Sequence, residues 1–356
     1  MKLRMSWAVL TAALVLAGCG GDQTSTSGQV GMQSGTNGSG GNPSIKPLVV
    51  GIVFDKGGRG DKSFNDSAYA GVQKAQRELG VKIQPLDSKT EKDYETNLST
   101  MAEQSGCDIV FAIGAAMKPA LEKVAGENPN VKFAIVDASV KKDNVRSLLF
   151  KSEQGSFLAG YLAGLMTKTN KIGFVGGQEI DLIKNFLSGY QAGAKAANPK
   201  VQVLPAKYTG DWDNIDIAKA AANTLYADGA DIVYHAAGRA GLGVIKAAQE
   251  HKLYAIGVDS DQDALAPGYV LTSMVKHVDL AVYNAIKDLR DNKFTAGDKV
   301  YDLSSGLVGL SAMKFTEKTI GKAILAKVAA EKAKIIAGKV TVPSTDAQYA
   351  QSAPTK

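Results

Sequence analysis

Polar and apolar positions along most of the chain follow the rhythm of short buried strands and amphipathic helices. From Pro47, the run Leu48-Val49-Val50-Gly51-Ile52-Val53-Phe54 is unbroken and apolar, as in a parallel strand covered on both faces. Residues 65–79 then place Ala68, Val72, Ala75 and Leu79 on one side of a helix. Gly80 closes that helix. Strands are expected at 81–86, 108–113 and 131–136, with helices at 91–105 and 119–125 between them. The rhythm restarts with helix 154–167, strand 171–176, helix 181–197, strand 201–207, helix 214–227, strand 231–235, helix 240–251 and strand 253–258. Strand and helix in turn predict an α/β fold of doubly wound parallel sheets flanked by helices. The second half repeats the architecture of the first but not its sequence. Two lobes are therefore expected, with a ligand cleft between the carboxyl ends of their strands.

After a strand at 269–275, residues 277–291 read as a helix and 299–310 as short strand-like pieces crossing back between lobes. Several crossings make a hinge, and hinged lobes close around small molecules. The expected N-terminal lobe comprises 47–152 and about 277–298. The C-terminal lobe comprises 153–276 and about 299–316. Residues 317–356 form an Ala- and Lys-rich helix and tail.

The first residues follow a different pattern. Lys2 and Arg4 precede an apolar run over 7–17, which is too short to span a membrane and has the layout of an export signal. Leu16-Ala17-Gly18-Cys19 follows and resembles the bacterial lipobox, in which the cysteine is lipidated and the chain is cut before it. Residues 1–18 are thus expected to be a lipoprotein signal peptide, with Cys19 as the lipidation site. Residues 19–46, rich in Gly, Ser, Thr, Gln and Asn, cannot bury enough apolar surface to fold and read as a flexible tether. The expected location is the extracytoplasmic face of the cell membrane, held by lipid.

Composition narrows the chemistry. The formal charge is +6, and removal of Lys2 and Arg4 leaves about +4, spread without a basic block, so nucleic acid is not an expected partner. Cys107, the one cysteine besides Cys19, reads as a small core hydrophobe. His235, His251 and His277 lack metal-ligand spacing, and neither a metal nor a cofactor is expected. Gly57-Gly58-Arg59-Gly60-Asp61-Lys62-Ser63 looks like a phosphate loop, but Asp61 stands where glycine must precede the Lys-Ser pair. The tripeptide Arg59-Gly60-Asp61 is short enough to arise by chance.

The strand ends carry the candidate site. In Asp61-Lys62-Ser63-Phe64-Asn65, Phe64 either packs on its own helix or offers a platform to a flat ligand. Ser63 and Asn65 either cap the helix or face the ligand. In the second half, Tyr208-Thr209-Gly210-Asp211-Trp212-Asp213 follows strand 201–207. Trp212 either covers the surface or completes a sandwich around a planar ring, each stacked face being worth about 1–3 kcal/mol. Asp55, Asp137 and Asp259 end strands at one level, where carboxylates accept from sugar hydroxyls or cap the next helix. Lys276 ends another strand and either donates to a ligand or pairs with these acids. Gly238 allows close backbone approach.

Five segments carry a resemblance: Asp61-Lys62-Ser63-Phe64-Asn65, Lys151-Ser152-Glu153-Gln154-Gly155-Ser156-Phe157-Leu158-Ala159-Gly160, His235-Ala236-Ala237-Gly238, Gly257-Val258-Asp259 and Ser273-Met274-Val275-Lys276. In order and spacing the chain resembles the basic membrane protein family of bacterial lipoproteins, which includes purine nucleoside-binding proteins of ABC transporters. The resemblance implies a two-lobed, type I periplasmic-binding-protein fold. It implies that Phe64 and an aromatic of the second lobe clamp a purine, that Asn65 meets the base, and that Asp137, Asp259 and Lys276 lie near the base edge or the ribose. Trp212 aligns with the family's second clamp, usually Phe, and Tyr208 competes for that place. Gly60 stands where the family often has an acidic or polar residue. Glu153 lies in a crossing segment and is read as structural. The ligand-binding set is then Asp55, Ser63, Phe64, Asn65, Asp137, Trp212, Gly238, Asp259 and Lys276.

The function implied is capture of purine nucleosides, such as guanosine, inosine or adenosine, by a monomer that delivers them to a permease and its ATPase without catalysis. A sugar or other small molecule in a similar fold is the alternative. A nucleoside hydrolase would use clustered carboxylates, whereas these acids are dispersed over separate loops. A surface adhesin has only the tripeptide in its favour.

Overall fold

The computed structural model describes residues 46–345 and 347–349. The export signal, Cys19 and all but the last residue of the tether lie outside the described residues. In chain order the strands are β1 (Val49–Phe54), β2 (Lys82–Asp87), β3 (Ile109–Ile113), β4 (Lys132–Val136), β5 (Val145–Phe150), β6 (Lys171–Gly176), β7 (Gln202–Val203), β8 (Lys207–Tyr208), β9 (Ile232–Ala236), β10 (Tyr254–Asp259), β11 (Val270–Lys276), β12 (Gly297–Tyr301) and β13 (Val308–Leu310). One sheet runs β12-β5-β4-β3-β1-β2 and is parallel throughout. The other runs β13-β11-β10-β9-β6-β7, with β8 also on β6. It is parallel except for β13, which lies antiparallel on β11. The α/β fold with parallel sheets flanked by helices is the one expected.

Burial explains the apolar runs. Every residue of β3 is buried, as is β1 after Val49, because helices cover both faces of a central parallel strand. β2 lies at the sheet edge and is half-exposed, a place that tolerates Pro85 and its missing N–H. Helices α1 (Phe64–Leu79), α2 (Tyr94–Ser99) and α3 (Lys118–Glu127) belong to the first sheet. Next come α4 (Ser152–Met166), α5 (Asp181–Ala197), α6 (Ile215–Ala227) and α7 (Leu242–His251) around the second. The chain then returns: α8 (Val278–Arg290) packs Val278, Ala281, Val282 and Ala285 into the same core as Ala68, Val72 and Ala75 of α1. Short α9 (Glu317–Ile320) and α10 (Lys322–Ile336) close the chain, separated at Gly321.

Three segments differ from the sequence reading. The piece 299–316, assigned whole to the C-terminal lobe, is divided. Gly297–Tyr301 extends the first sheet beside β5, and Val308–Leu310 extends the second beside β11. The division falls at a tight turn in which the Asp302 carboxylate accepts from the Ser304 and Ser305 N–H groups at 2.9 and 3.0 Å. Strand 201–207 is broken into β7 and β8 around Pro205, which cannot donate to the ladder. Helix 91–105 is α2 flanked by a tighter turn at Glu91–Asp93 and a wider one at Thr100–Gln104.

The second lobe is held by an unusually close helix pair. Gly160 and Gly164 lie four apart on α4, and Gly189 and Gly193 lie four apart on α5. A Cβ on Gly160 would stand 2.0 Å from the Tyr190 carbonyl oxygen, and one on Gly193 1.9 Å from that of Phe157. Backbone meets backbone here, so no side chain can yield. Gly193→Ala is expected to destabilise the protein by about 1–3 kcal/mol, read as a lower thermal midpoint. An unchanged midpoint would mean that the two helices can separate freely.

Candidate functional site

The carboxyl ends of both sheets face one cleft of about 760 Å³, including the part open to solvent, a size that suits a small molecule. Eight of the nine expected residues line it: Asp55, Phe64, Asn65, Asp137, Trp212, Gly238, Asp259 and Lys276. Phe64 and Asn65 reach it from the first turn of α1, and the others from a strand end or the segment after one, which is where a parallel α/β sheet exposes its ligand face.

Ser63 is the exception. It is fully buried, and its Oγ donates to Asp259 Oδ2 at 2.7 Å, with the Val258 carbonyl oxygen at 3.3 Å. Ser63 therefore joins the lobes instead of facing the cleft, and it does not cap α1. Asp61 does that work. Its carboxylate accepts from the Ser63, Asn65 and Asp66 N–H groups at 2.8–3.0 Å, leaving the Ser63 hydroxyl free to cross the seam. Two more bonds lie beside it: Ser260 Oγ to the Ser63 carbonyl, and Gln262 Nε2 to the Lys62 carbonyl, each 3.0 Å. Behind this seam His235 is fully buried with Nε2 3.0 Å from Gln262 Oε1, and burial lowers its pKa to about 4. It is a neutral packing residue.

One end of the cleft is built around an amine. Lys276 Nζ lies 2.7 Å from Asp137 Oδ2 and 3.5 Å from Asp259 Oδ1, and all three side chains are at most 8% exposed. Phe64 stands 4.7 Å from the amine, with Phe150 and Phe186 at 5.6 Å each. Asp137 and Asp259 both take the left-handed backbone conformation, with φ of 67° and 63°. Such a conformation is uncommon outside glycine and clusters at functional sites. Burial pulls the Lys276 amine down, but the charges of Asp137 and Asp259 outweigh it and hold its pKa above the ordinary lysine value.

The other end is acidic. Asn65 Nδ2 donates to Asp55 Oδ1 at 2.9 Å and Asp61 Oδ2 at 3.1 Å. Two carboxylate acceptors fix the orientation of the amide, and its Oδ1 is left buried without a partner. Burial pushes Asp55 up to about 6, opposed by the Asn65 bond and reinforced by the charges of Asp61 and Asp213. Burial likewise pushes Asp61 up to about 6 against its three backbone donors. At the mouth, Lys56 Nζ reaches Asp211 across the cleft at 3.1 Å. This pair is partly exposed and worth little by itself.

Trp212, not Tyr208, lines the cleft. Tyr208 packs against Gly176 instead. Phe186 and Tyr94 also line it and are absent from the sequence reading. Phe186 sits on the apolar face of α5, where helical spacing assigns it to the core. It is in fact part of that core and turns one side to the cleft.

Comparison with known proteins places this geometry. Residues 48–346 match the family described as "ABC transporter substrate-binding protein PnrA-like". The chain is 39% identical to the CD4+ T-cell-stimulating antigen of Listeria innocua, over 89% of this chain and 94% of that one. It is 35% identical to the ABC transporter nucleoside-binding protein BmpA of Lactococcus lactis, over 96% and 98%. Among solved structures, a solute-binding protein of an ABC transporter system from Aeropyrum pernix superposes with a TM-score of 0.79 at 28% identity, covering 86% of this chain and 96% of that one.

The raised pKa of Asp55 makes it a liability to the fold. Between pH 3.8 and about 6 the folded state holds its proton more tightly than the unfolded chain does. Its ionisation thus lowers stability, in full above about pH 6 and progressively less as pH falls towards 4. Asp55→Asn should raise stability at pH 7.5 by about 3 kcal/mol, and the gain should fade towards pH 4. Melting curves across that range test this. A variant that melts lower at pH 7.5 would show that the bonds to the carboxylate outweigh its burial.

Proposed function

The chain belongs to the PnrA-like family of ABC transporter substrate-binding proteins, and on that premise we propose that it captures purine nucleosides. The family description implies a permease and an ATPase as partners and a small molecule as ligand. What supports a nucleoside is the placing of Phe64 and Trp212, from opposite lobes, on one cleft with polar clusters of two different kinds. Aromatic faces suit a flat base, with about 1–3 kcal/mol per stacked face. The Lys276–Asp137–Asp259 cluster offers one donor and several acceptors, the complement of ribose hydroxyls. The Asp55 carboxylate, which lines the cleft, offers an acceptor to the base edge. The similarity to a relative named as a nucleoside-binding protein points the same way.

In this reading the protein performs no chemistry. Binding draws the lobes together, and the closed form is presented to the permease. Ser63, Ser260 and Gln262 hold the seam in that form. We assign the anchor to a lipid on Cys19, supported by the layout of residues 2–19, with the folded part acting as a monomer on the outer face of the membrane.

Guanosine, inosine or adenosine at a hundredfold excess over Kd should stabilise the protein by about 2.7 kcal/mol, and Phe64→Ala should weaken binding about 10- to 100-fold. Melting curves with nucleosides, free ribose and glucose test this. A shift with a sugar alone would favour the sugar-binding alternative, and no shift with any nucleoside would end the proposal. Cys19→Ser should move the protein from the membrane fraction to the soluble exported fraction.

A further inference from the structure

The two lobes bring like charges together near the mouth of the cleft. Asp55 and Asp61 come from the first lobe, Asp211 and Asp213 from the second, and the Asp213 charge is felt at Asp55. Asp213 Oδ1 is buried without a partner. Closing the lobes therefore sets carboxylates against carboxylates. Lys56, next to Asp55, is the cation that crosses between them. Its Nζ lies 3.1 Å from Asp211 Oδ1. The Asp211 bond raises its pKa against partial burial, and the charges of Asp211, Asp213 and Glu91 add to the rise. Besides Lys276–Asp137, this is the one ion pair that joins the lobes among the described residues.

Both ends of this pair are held in place by their own lobes. The Asp211 oxygen that meets Lys56 also accepts from the Trp212 N–H at 2.6 Å and the Asp213 N–H at 3.2 Å. The turn that carries Trp212 thus carries the anion as well. That turn is fixed to the end of β6: Thr209 N–H donates to the Gly176 carbonyl at 3.0 Å, and Gly210 N–H to the Gly177 carbonyl at 2.9 Å. A Cβ on Gly177 would stand 2.2 Å from Trp212 Cζ3, so the indole lies directly on the chain there. On the other side the Lys56 N–H donates to Tyr94 Oη at 3.3 Å. Partial burial pulls Asp211 up, but the Lys56 bond and the two N–H donors outweigh it and hold the carboxyl below its ordinary value. Two charged ends, each placed by its own lobe, meet only when the lobes are together.

The two inter-lobe pairs differ in what it costs to part them. Lys276 and Asp137 are buried, and separating them strands charge out of water. The Lys56 and Asp211 side chains are 25% and 35% exposed, so water takes over both ends when the lobes move apart. Such a pair adds little to the fold. It does tip a balance between open and closed forms, and the affinity of a two-state binder follows the population of its competent form. Resting on the nucleoside reading above, we propose that Lys56 and Asp211 are a latch that engages over the bound ligand, offsets the repulsion between the acidic rims and so sets the rate at which the ligand leaves. Neither residue lines the cleft, and both act by positioning the lobes.

The chain has two tryptophans, Trp7 and Trp212, and removal of the expected signal peptide leaves Trp212 as the reporter. Stopped-flow tryptophan fluorescence on the detergent-solubilised exported protein, with guanosine, inosine or adenosine at pH 7.5, tests the proposal. Lys56→Gln should speed release about two- to fivefold with little change in the association rate, and Lys56→Glu should speed it further. Lys56→Arg should restore slow release. Asp211→Asn, which keeps an acceptor for the Trp212 and Asp213 N–H groups, should also speed release, and the double variant with Lys56→Gln should release no faster than either single one. Raising the salt should speed release more in the original protein than in Lys56→Gln, where the screened attraction is gone. Release from Lys56→Gln at the original rate, additive effects in the double variant or equal salt dependence in both proteins would overturn the latch while leaving nucleoside capture intact. Failure of every nucleoside to bind the original protein would remove this proposal together with the function on which it rests.

Discussion

The structure turns on one buried amine. Lys276 ends β11 in the second sheet, Asp137 follows β4 in the first, and Asp259 ends β10 in the second, and their charges meet out of water at the bottom of the cleft. A buried charge without partners is costly, and removing one member of a buried pair strands the other. The cluster therefore exists only while both sheets hold their strand ends at the same level. Phe64 is placed by the same constraint, because its ring lies against the amine. So is Ser63, whose hydroxyl bonds the carboxylate that also faces Lys276. Lobe contact and ligand chemistry thus share atoms.

The acidic end of the cleft works on a different balance. Asp61 is a buried carboxylate and Asp55 a partly buried one, neither in an ion pair among the described residues, and each is held by dipoles: the Asn65 amide and the Gly57 N–H for Asp55, and backbone N–H groups with that amide for Asp61. Such an arrangement lowers stability and is tolerated because the sheets behind it are deep and continuously apolar. Local cost at a site, carried by an otherwise consistent fold, is the expected mark of function.

Much of the fold could be read from the sequence because buried parallel strands announce themselves as unbroken apolar runs, and because Gly80 and the polar strand ends punctuate them. What could not be read depended on partners. Which sheet accepts Gly297–Tyr301 is decided by the edge that β5 leaves open, not by anything within 299–310. Most of the cleft residues were accessible because strand ends are a predictable place. Ser63 was misplaced because Asp61, two residues earlier, takes over the cap and frees its hydroxyl for the other lobe. Phe186 was missed because a residue with one face in the core and one in a cavity has the periodicity of a core residue. The choice between Trp212 and Tyr208 required the close packing of Tyr208 on Gly176.

The glycine contact between α4 and α5 has a mechanical meaning. Helix α4 begins directly after the chain leaves β5, so it starts at a crossing between the lobes. With backbone touching backbone at Gly160 and Gly193, α5 has no slack relative to α4. Phe186, in the second turn of α5, thus behaves as the tip of a rigid lever whose fulcrum is the crossing. A small rotation at residues 150–152 becomes a displacement of that ring without being absorbed by soft side chains on the way. The tightest packing in the second lobe would act as a linkage that reports hinge angle to the cleft.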